Sequence, residues 1–167
     1  MEMGDFFMFR IGYGFDVHRL VDGRKLILCG VELHHEFGLL GHSDADVAIH
    51  ALMDAMLGAL ALGDIGRHFP DMDERYLNIS SIILLKQVRS MIYQKGYKIG
   101  NCDITIMAQR PKISPYIEEM RNKLISVLHC DLSRVSIKAT TTEGLGYVGR
   151  QEGVGASAVV LLERIAN

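Results

Sequence analysis

Apolar and polar residues change their spacing several times along the chain, and each change marks an element. Residues 9–19 alternate as a half-buried strand does, and "KLILCGVEL" (25–33) predicts a second strand bent at Gly30. "HHEFGLLGHSDAD" (34–46) has no period and carries hinge glycines at 38 and 41. A helix is predicted over Ala45–Ala61, capped by Ser43 or Asp44 and stopped near Gly63. "GDIGRHFPDMD" (63–73), with its glycines and proline, predicts irregular chain. Two further helices are expected, over Ser80–Lys95 with Gly96 ending it, and over Pro115–Leu128 with a first-turn proline. "CDITIMAQ" (102–109), "VSIKATT" (135–141) and "GASAVVLLERI" (155–165) read as strands, the last two separated by a glycine-rich loop. The order β-β-α-α-β-α-β-β lacks strict alternation and predicts an α+β fold: a single mixed β-sheet with three helices packed on one face.

The helix at 45–61 departs from the usual amphipathic pattern. Nearly every position is apolar or small except Asp46, His50 and Asp54, which lie four apart and therefore share one stripe. A helix apolar on its other faces is buried nearly all round, so this stripe looks into protein and needs counter-charges. One reading is a solvated face with His50 packed at its edge. The other draws in "GFDVHRL", where Asp16 and His18 lie two apart on a strand and point the same way. With His50 they make a His₂Asp set, the three-ligand shell that leaves a metal one open position.

The chain has 167 residues and no repeat or linker, so residues 9–167 read as one catalytic domain behind a flexible extension over 1–8. A net charge of −2 gives no general attraction to nucleic acid or to an anionic membrane. Anionic ligands must therefore be held by local devices. No apolar run reaches membrane-spanning length, and three widely spaced cysteines predict reduced thiols in a cytoplasmic protein. "GHSDAD" places His42 and Ser43 at a helix N-terminus, where anions are favoured. "KATTTEG" ends a strand in hydroxyls beside Glu143, a set suited to a metal-bound phosphate, and Arg150 follows as an anion clamp if it faces inward.

"GFDVHRL", "GHSDADVAIHALMDAMLGALALGDIGRHFPD", "AQRPKI" and "KATTTEGLGYVGRQEG" together resemble the signatures of the 2-C-methyl-D-erythritol 2,4-cyclodiphosphate synthase family, in the same order from about residue 10 to 165. The resemblance implies a homotrimer with active sites at subunit interfaces. It implies cyclisation of 4-diphosphocytidyl-2-C-methyl-D-erythritol 2-phosphate, whose 2-phosphate attacks the β-phosphorus and expels CMP. Zinc then falls on Asp16, His18 and His50, and a bridging Mg²⁺ or Mn²⁺ on Glu143. Contacts to phosphate and methylerythritol fall on the Asp16–Val17–His18 run, on His42 and Ser43, on Asp64, Ile65 and Gly66, and on Phe69, Pro70, Asp71, Met72 and Asp73. The cytidine pocket falls on Ala108, Gln109, Arg110, Pro111, Lys112, Ile113 and Ser114, continued by Thr140, Thr141 and Thr142. His42 and Thr141 take the place of transition-state stabilisers, and Tyr147 and Arg150 complete the substrate contacts. With Phe15 and Glu152, the last two also border a three-fold cavity that can hold an isoprenoid diphosphate in this family.

Asp46 and Asp54 are expected to accept the free ring N–H of His18 or His50. "HHEFGLLGHS" is expected to fold over the substrate and exclude water. Ala45 stands where glycine is expected, and His68 reads as an ordinary loop residue. Two other functions fit the same residues: a zinc-dependent hydrolase of nucleotide diphosphates, and a non-catalytic trimeric nucleotide-binding module with a structural zinc.

Overall fold

The computed structural model describes residues 8–166, so the expected extension lies outside it apart from Met8. Among the described residues the order is β1 (Phe9–Asp22), β2 (Leu26–Leu28), β3 (Val31–Leu33), β4 (Phe37–Leu39), α1 (Val47–Ala59), α2 (Ile65–His68), α3 (Ser81–Gln94), β5 (Tyr97–Met107), α4 (Ile117–Leu128), β6 (Val135–Thr140), α5 (Gly146–Gly149) and β7 (Gly153–Arg164). The main sheet runs β4-β1-β7-β5-β6. It is mixed, because β5 and β6 pair in parallel while the other neighbours are antiparallel.

The α+β expectation holds with two corrections. The sheet is not single: 25–33 is a β2–β3 hairpin forming its own two-stranded sheet, and β4 adds an edge to the main one. Cys29 and Gly30 both take positive φ, the two-residue turn that matches hairpin twist. Beside the three long helices there are also two one-turn helices, α2 and α5, in stretches whose glycines predicted loop. Asp64 starts α2 by accepting from the Arg67 amide at 3.0 Å.

α1 lies against β1 and β7 and is covered in turn by α3, which accounts for its nearly all-round burial. Its seam with β1 is main chain on main chain. A Cβ at Gly12 would overlap the Ala55 carbonyl, and one at Gly14 the Ala51 carbonyl. These glycines let the helix settle onto the strand that carries Asp16 and His18 further along the same face. The odd-numbered side chains of β1 (Phe9, Ile11, Tyr13, Phe15 and Val17) point the other way and are exposed.

The N-cap of α1 is Asp46 rather than Ser43 or Asp44. Ala45 before it sits at φ 57°, a left-handed conformation that accounts for the expectation of glycine there. Asp46 is fully buried and accepts from the amides of Ile49 (3.1 Å), Cys29 (2.9 Å) and Gly30 (2.6 Å), tying the hairpin turn to the helix. Burial raises its carboxyl to about 6 even against the pull of these amides. Asp46→Ala strands three buried or half-buried donors at once, and the expected loss is about 3 kcal/mol or more. Urea denaturation checks this; a loss below about 1 kcal/mol would show that water replaces the carboxylate.

Candidate metal centre

β1 delivers Asp16 and His18, and α1 delivers His50, to one point. The Asp16 Oδ2 atom lies 3.0 Å from His18 Nε2 and 3.0 Å from His50 Nδ1, and the two ring nitrogens are 3.1 Å apart. Ligands of one tetrahedral ion with bonds of ~2.0 Å are separated by ~3.3 Å, so this triangle is the right size for the base of such a shell. Among the described residues it is the one group of three or more His, Cys, Asp or Glu side chains that could hold a metal ion.

The hydrogen bond on the far side of His18 favours a lone pair directed inward. His18 Nδ1 faces the Leu40 carbonyl at 2.6 Å, and a carbonyl only accepts, so Nδ1 carries the proton and neutral Nε2 presents a lone pair. Burial disfavours a charged His18, but its hydrogen bond to Asp16 and the charge there outweigh this and raise its pKa above the ordinary value. For Asp16 burial acts upward, and the hydrogen bonds and charges of His18 and His50 overcome it, holding the carboxyl well below the usual range. A carboxylate and an imidazole lone pair this close, with His50 Nδ1 beside them, call for a cation, either a proton or a metal.

That competition has a sign. Below the raised pKa of His18 a metal must displace its proton, so affinity should drop tenfold per pH unit; above it this dependence vanishes. Zinc titration against a chromophoric chelator over a pH series measures the slope. Affinity that stays flat through the histidine range would remove His18 from the shell.

Beside the triangle opens a cavity of about 220 Å³, lined by Asp16, His18, Gly41, His42, Ser43, His50, Ile65, Gly66, Phe69, Asp71, Tyr76 and Leu84. Eight of the residues expected at the substrate thus line the cavity at the metal centre. Asp54 accepts from the Ile65 amide at 2.8 Å and so fixes the start of α2, which forms one wall. Asp46 and Asp54 therefore hold backbone amides in place of the histidine N–H groups expected for them. Asp64 is spent on capping α2, Asp73 pairs with Arg75, and Met72 is almost wholly exposed. His42 Nε2 donates to the Asp73 carbonyl at 3.1 Å, joining the two loops of the cavity. Val17 turns its side chain to the opposite face.

The segment expected to act as a lid is tied down. Leu40 donates its amide to the Arg19 carbonyl, and Arg24 donates to the carbonyls of Leu39 (3.1 Å), Gly41 (3.3 Å) and Ser43 (2.7 Å). Nothing in "DGRKL" marks Arg24 from an ordinary surface cation, so its role appears only in the fold.

A second cavity, about 520 Å³, is lined by Ala108–Ser114 with Ala139, Thr140 and Thr141. Sheet register puts Val17, Gly155, Met107 and Thr140 in one row, so the strand ends that border the two cavities lie at the same end of the sheet, with β1 and β6 three strand spacings or about 14 Å apart. Glu143 borders the second region, its Oε1 accepting from Thr141 Oγ1 at 3.0 Å, and Thr142 donates to the Leu145 carbonyl. Arg150 does not turn inward; it faces solvent and pairs with Glu152 at 2.9 Å.

An α+β chain with three clustered candidate metal ligands beside a cavity has a layout that metal-dependent enzymes use. The profile of the YgbB family matches residues 9–163. A 2-C-methyl-D-erythritol 2,4-cyclodiphosphate synthase of Desulfitobacterium hafniense is 60% identical over 158 residues, covering 95% of this chain and 100% of that one. The solved bifunctional IspDF of Campylobacter jejuni superposes with a TM-score of 0.91 at 43% identity, over 94% of this chain and 42% of that longer one. IspF of Plasmodium falciparum, solved as a CDP complex, gives a TM-score of 0.84 at 36% identity over 97% of this chain and all of that one. The chain belongs to the YgbB family, that of the 2-C-methyl-D-erythritol 2,4-cyclodiphosphate synthases.

Proposed function

We propose that the protein cyclises 4-diphosphocytidyl-2-C-methyl-D-erythritol 2-phosphate to 2-C-methyl-D-erythritol 2,4-cyclodiphosphate. A 2-phosphate oxygen bonds to the β-phosphorus, the bond from that phosphorus to the CMP oxygen breaks, and CMP leaves with the electron pair. The observation that carries this reading is the triangle of Asp16, His18 and His50 opening into a cavity of about 220 Å³. These residues would hold zinc, which would supply polarisation of a phosphate oxygen and charge compensation. Glu143 is the residue that would hold a second divalent ion, Mg²⁺ or Mn²⁺.

Phosphoryl transfer asks a protein mainly to position groups and neutralise charge. The Ser43 hydroxyl donates toward phosphate in the metal cavity beside His42, with Ile65, Gly66 and Asp71 shaping its wall. The cytidine lies in the second cavity, whose lining includes Lys112, Thr140 and Thr141. Thr141 stabilises the transition state with His42. The exposed apolar face of β1 and the separation of the two cavities support a homotrimer in which one subunit's metal centre works with another's nucleotide cavity. Phe15, Tyr147, Arg150 and Glu152 would then line a three-fold cavity open to an isoprenoid diphosphate. Three unpaired cysteines fit a reducing cytoplasm, and no helix of the described residues is long and apolar enough to cross a membrane.

The test is ³¹P NMR of purified protein with the diphosphocytidyl substrate, with and without chelator. Stoichiometric CMP and a cyclic diphosphate are expected, both lost on chelation and restored by zinc. A linear bisphosphate would identify a hydrolase, and no turnover a binding module; either overturns the proposal.

A further inference from the structure

His50 faces a choice of proton position that the metal triangle does not resolve in its own favour. With the proton on Nδ1, the ring would donate to the Asp16 carboxylate at 3.0 Å, a charge-assisted bond that is strong when no metal is bound. That same proton would block the ligand atom. Something on the far side of the ring has to draw the proton to Nε2.

Two hydroxyls lie there. The Ser43 Oγ atom is 3.2 Å from His50 Nε2 and accepts the Ala45 amide at 3.1 Å, leaving its own proton free for the cavity. The Ser81 Oγ atom is closer, at 3.0 Å, and fully buried. Its hydroxyl proton is committed elsewhere, since Ser81 Oγ makes a short hydrogen bond to Asp44 Oδ1 and a carboxylate can only accept. Toward His50, Ser81 can therefore act as an acceptor alone. The Asp44 carboxylate also takes the Ser81 amide at 2.9 Å, so it grips both the backbone and the side chain of the first residue of α3. A hydroxyl polarised by a carboxylate is a better acceptor than a free one.

We infer that Ser81 and Asp44 form a relay that holds His50 in its Nε2–H tautomer and so keeps Nδ1 bare for the metal. Ser81 and Asp44 are positioning residues: they touch neither substrate nor metal and act through the imidazole. The inference rests on the proposed metal centre for its purpose, but the tautomer it assigns is a property of the metal-free chain. It gives α3 a part in the site, because the relay crosses from the loop before α1 to the first turn of α3.

The test uses metal-free full-length protein. Long-range ¹H–¹⁵N NMR under alkaline conditions, where imidazoles are neutral, reads the proton position directly. His50 is expected as Nε2–H in the unaltered protein; finding Nδ1–H overturns the relay whatever any variant does. Ser81→Ala keeps the amide bond to Asp44 and removes the acceptor, so His50 should shift toward Nδ1–H. Zinc affinity, measured against a competing chelator, should fall roughly 10- to 100-fold. An unchanged tautomer, or affinity within about threefold of the unaltered protein, overturns the relay, including the case where affinity drops but the tautomer stays. Asp44→Asn serves as the second variant, preserving an oxygen acceptor while removing the charge. It should weaken zinc binding less than Ser81→Ala, and no change in either readout would count against the relay even if Ser81→Ala fails to fold. Unaltered protein that shows Nε2–H yet binds no zinc would mark failure of the metal centre, not of the tautomer assignment.

Discussion

His50→Ala is expected to strip the protein of zinc and lower its turnover about 10³-fold, equivalent to about 4 kcal/mol of transition-state stabilisation. The triangle then keeps two corners, Asp16 and His18, both on β1 and two residues apart. Two donors from one strand leave an ion mostly to solvent, and the link between strand and helix is gone. The same change should leave the fold standing. His50 sits at the margin of the α1 core, and its loss removes an imidazole whose polar neighbours, Ser43 and Ser81, keep their bonds to Ala45 and Asp44. Metal content by atomic absorption, turnover by ³¹P NMR and a circular dichroism melt separate these effects. Turnover within tenfold of the unaltered enzyme would place the chemistry elsewhere.

Gly12→Ala is expected to have the largest effect on stability, a loss of about 4 kcal/mol or more, seen as failure to accumulate as soluble protein. The methyl would overlap the Ala55 carbonyl with Ala59 N close behind, and neither can rotate away because both belong to the α1 backbone. Relief requires lifting the helix from the strand and opening the core along β1 and β7. Gly58→Ala, on the same helix, is the matched control. Its nearest obstacle is the Tyr13 carbonyl at 4.0 Å, so it should be neutral or stabilising by up to about 1 kcal/mol. Equal loss in both variants would show that the seam tolerates separation.

The parts of the site legible in the sequence were those written as periodicity. Asp16 and His18 at a spacing of two, and Asp46, His50 and Asp54 at spacings of four, gave their facing directions through strand and helix geometry alone. What periodicity does not encode is which partner meets a side chain once it faces inward. Asp46 and Asp54 were legible as buried acids, but their partners are amides of the β2–β3 turn, α1 and α2, segments brought near by tertiary packing. Ser81 and Asp44 were visible only as residues near helix starts, which is where such residues occur for capping alone. The hairpin at 25–33 was misread because Cys29 at positive φ is unusual, and the turn carries no Asn-Gly or Asp-Gly signal. α2 was missed because its start depends on acids at 54 and 64 rather than on any helical pattern of its own.

The glycine–alanine seam between β1 and α1 has a consequence for how the centre is filled. In a zinc finger the ion creates the fold, so removing it unfolds the chain. Here the spacing between the ligand-bearing strand and helix is set by backbone contact at Gly12 and Gly14 against Ala55 and Ala51. A metal held there would then be an exchangeable part. Chelated protein is expected to keep its shape and to take up Co²⁺, whose visible absorption would turn a silent centre into one that reports its own coordination.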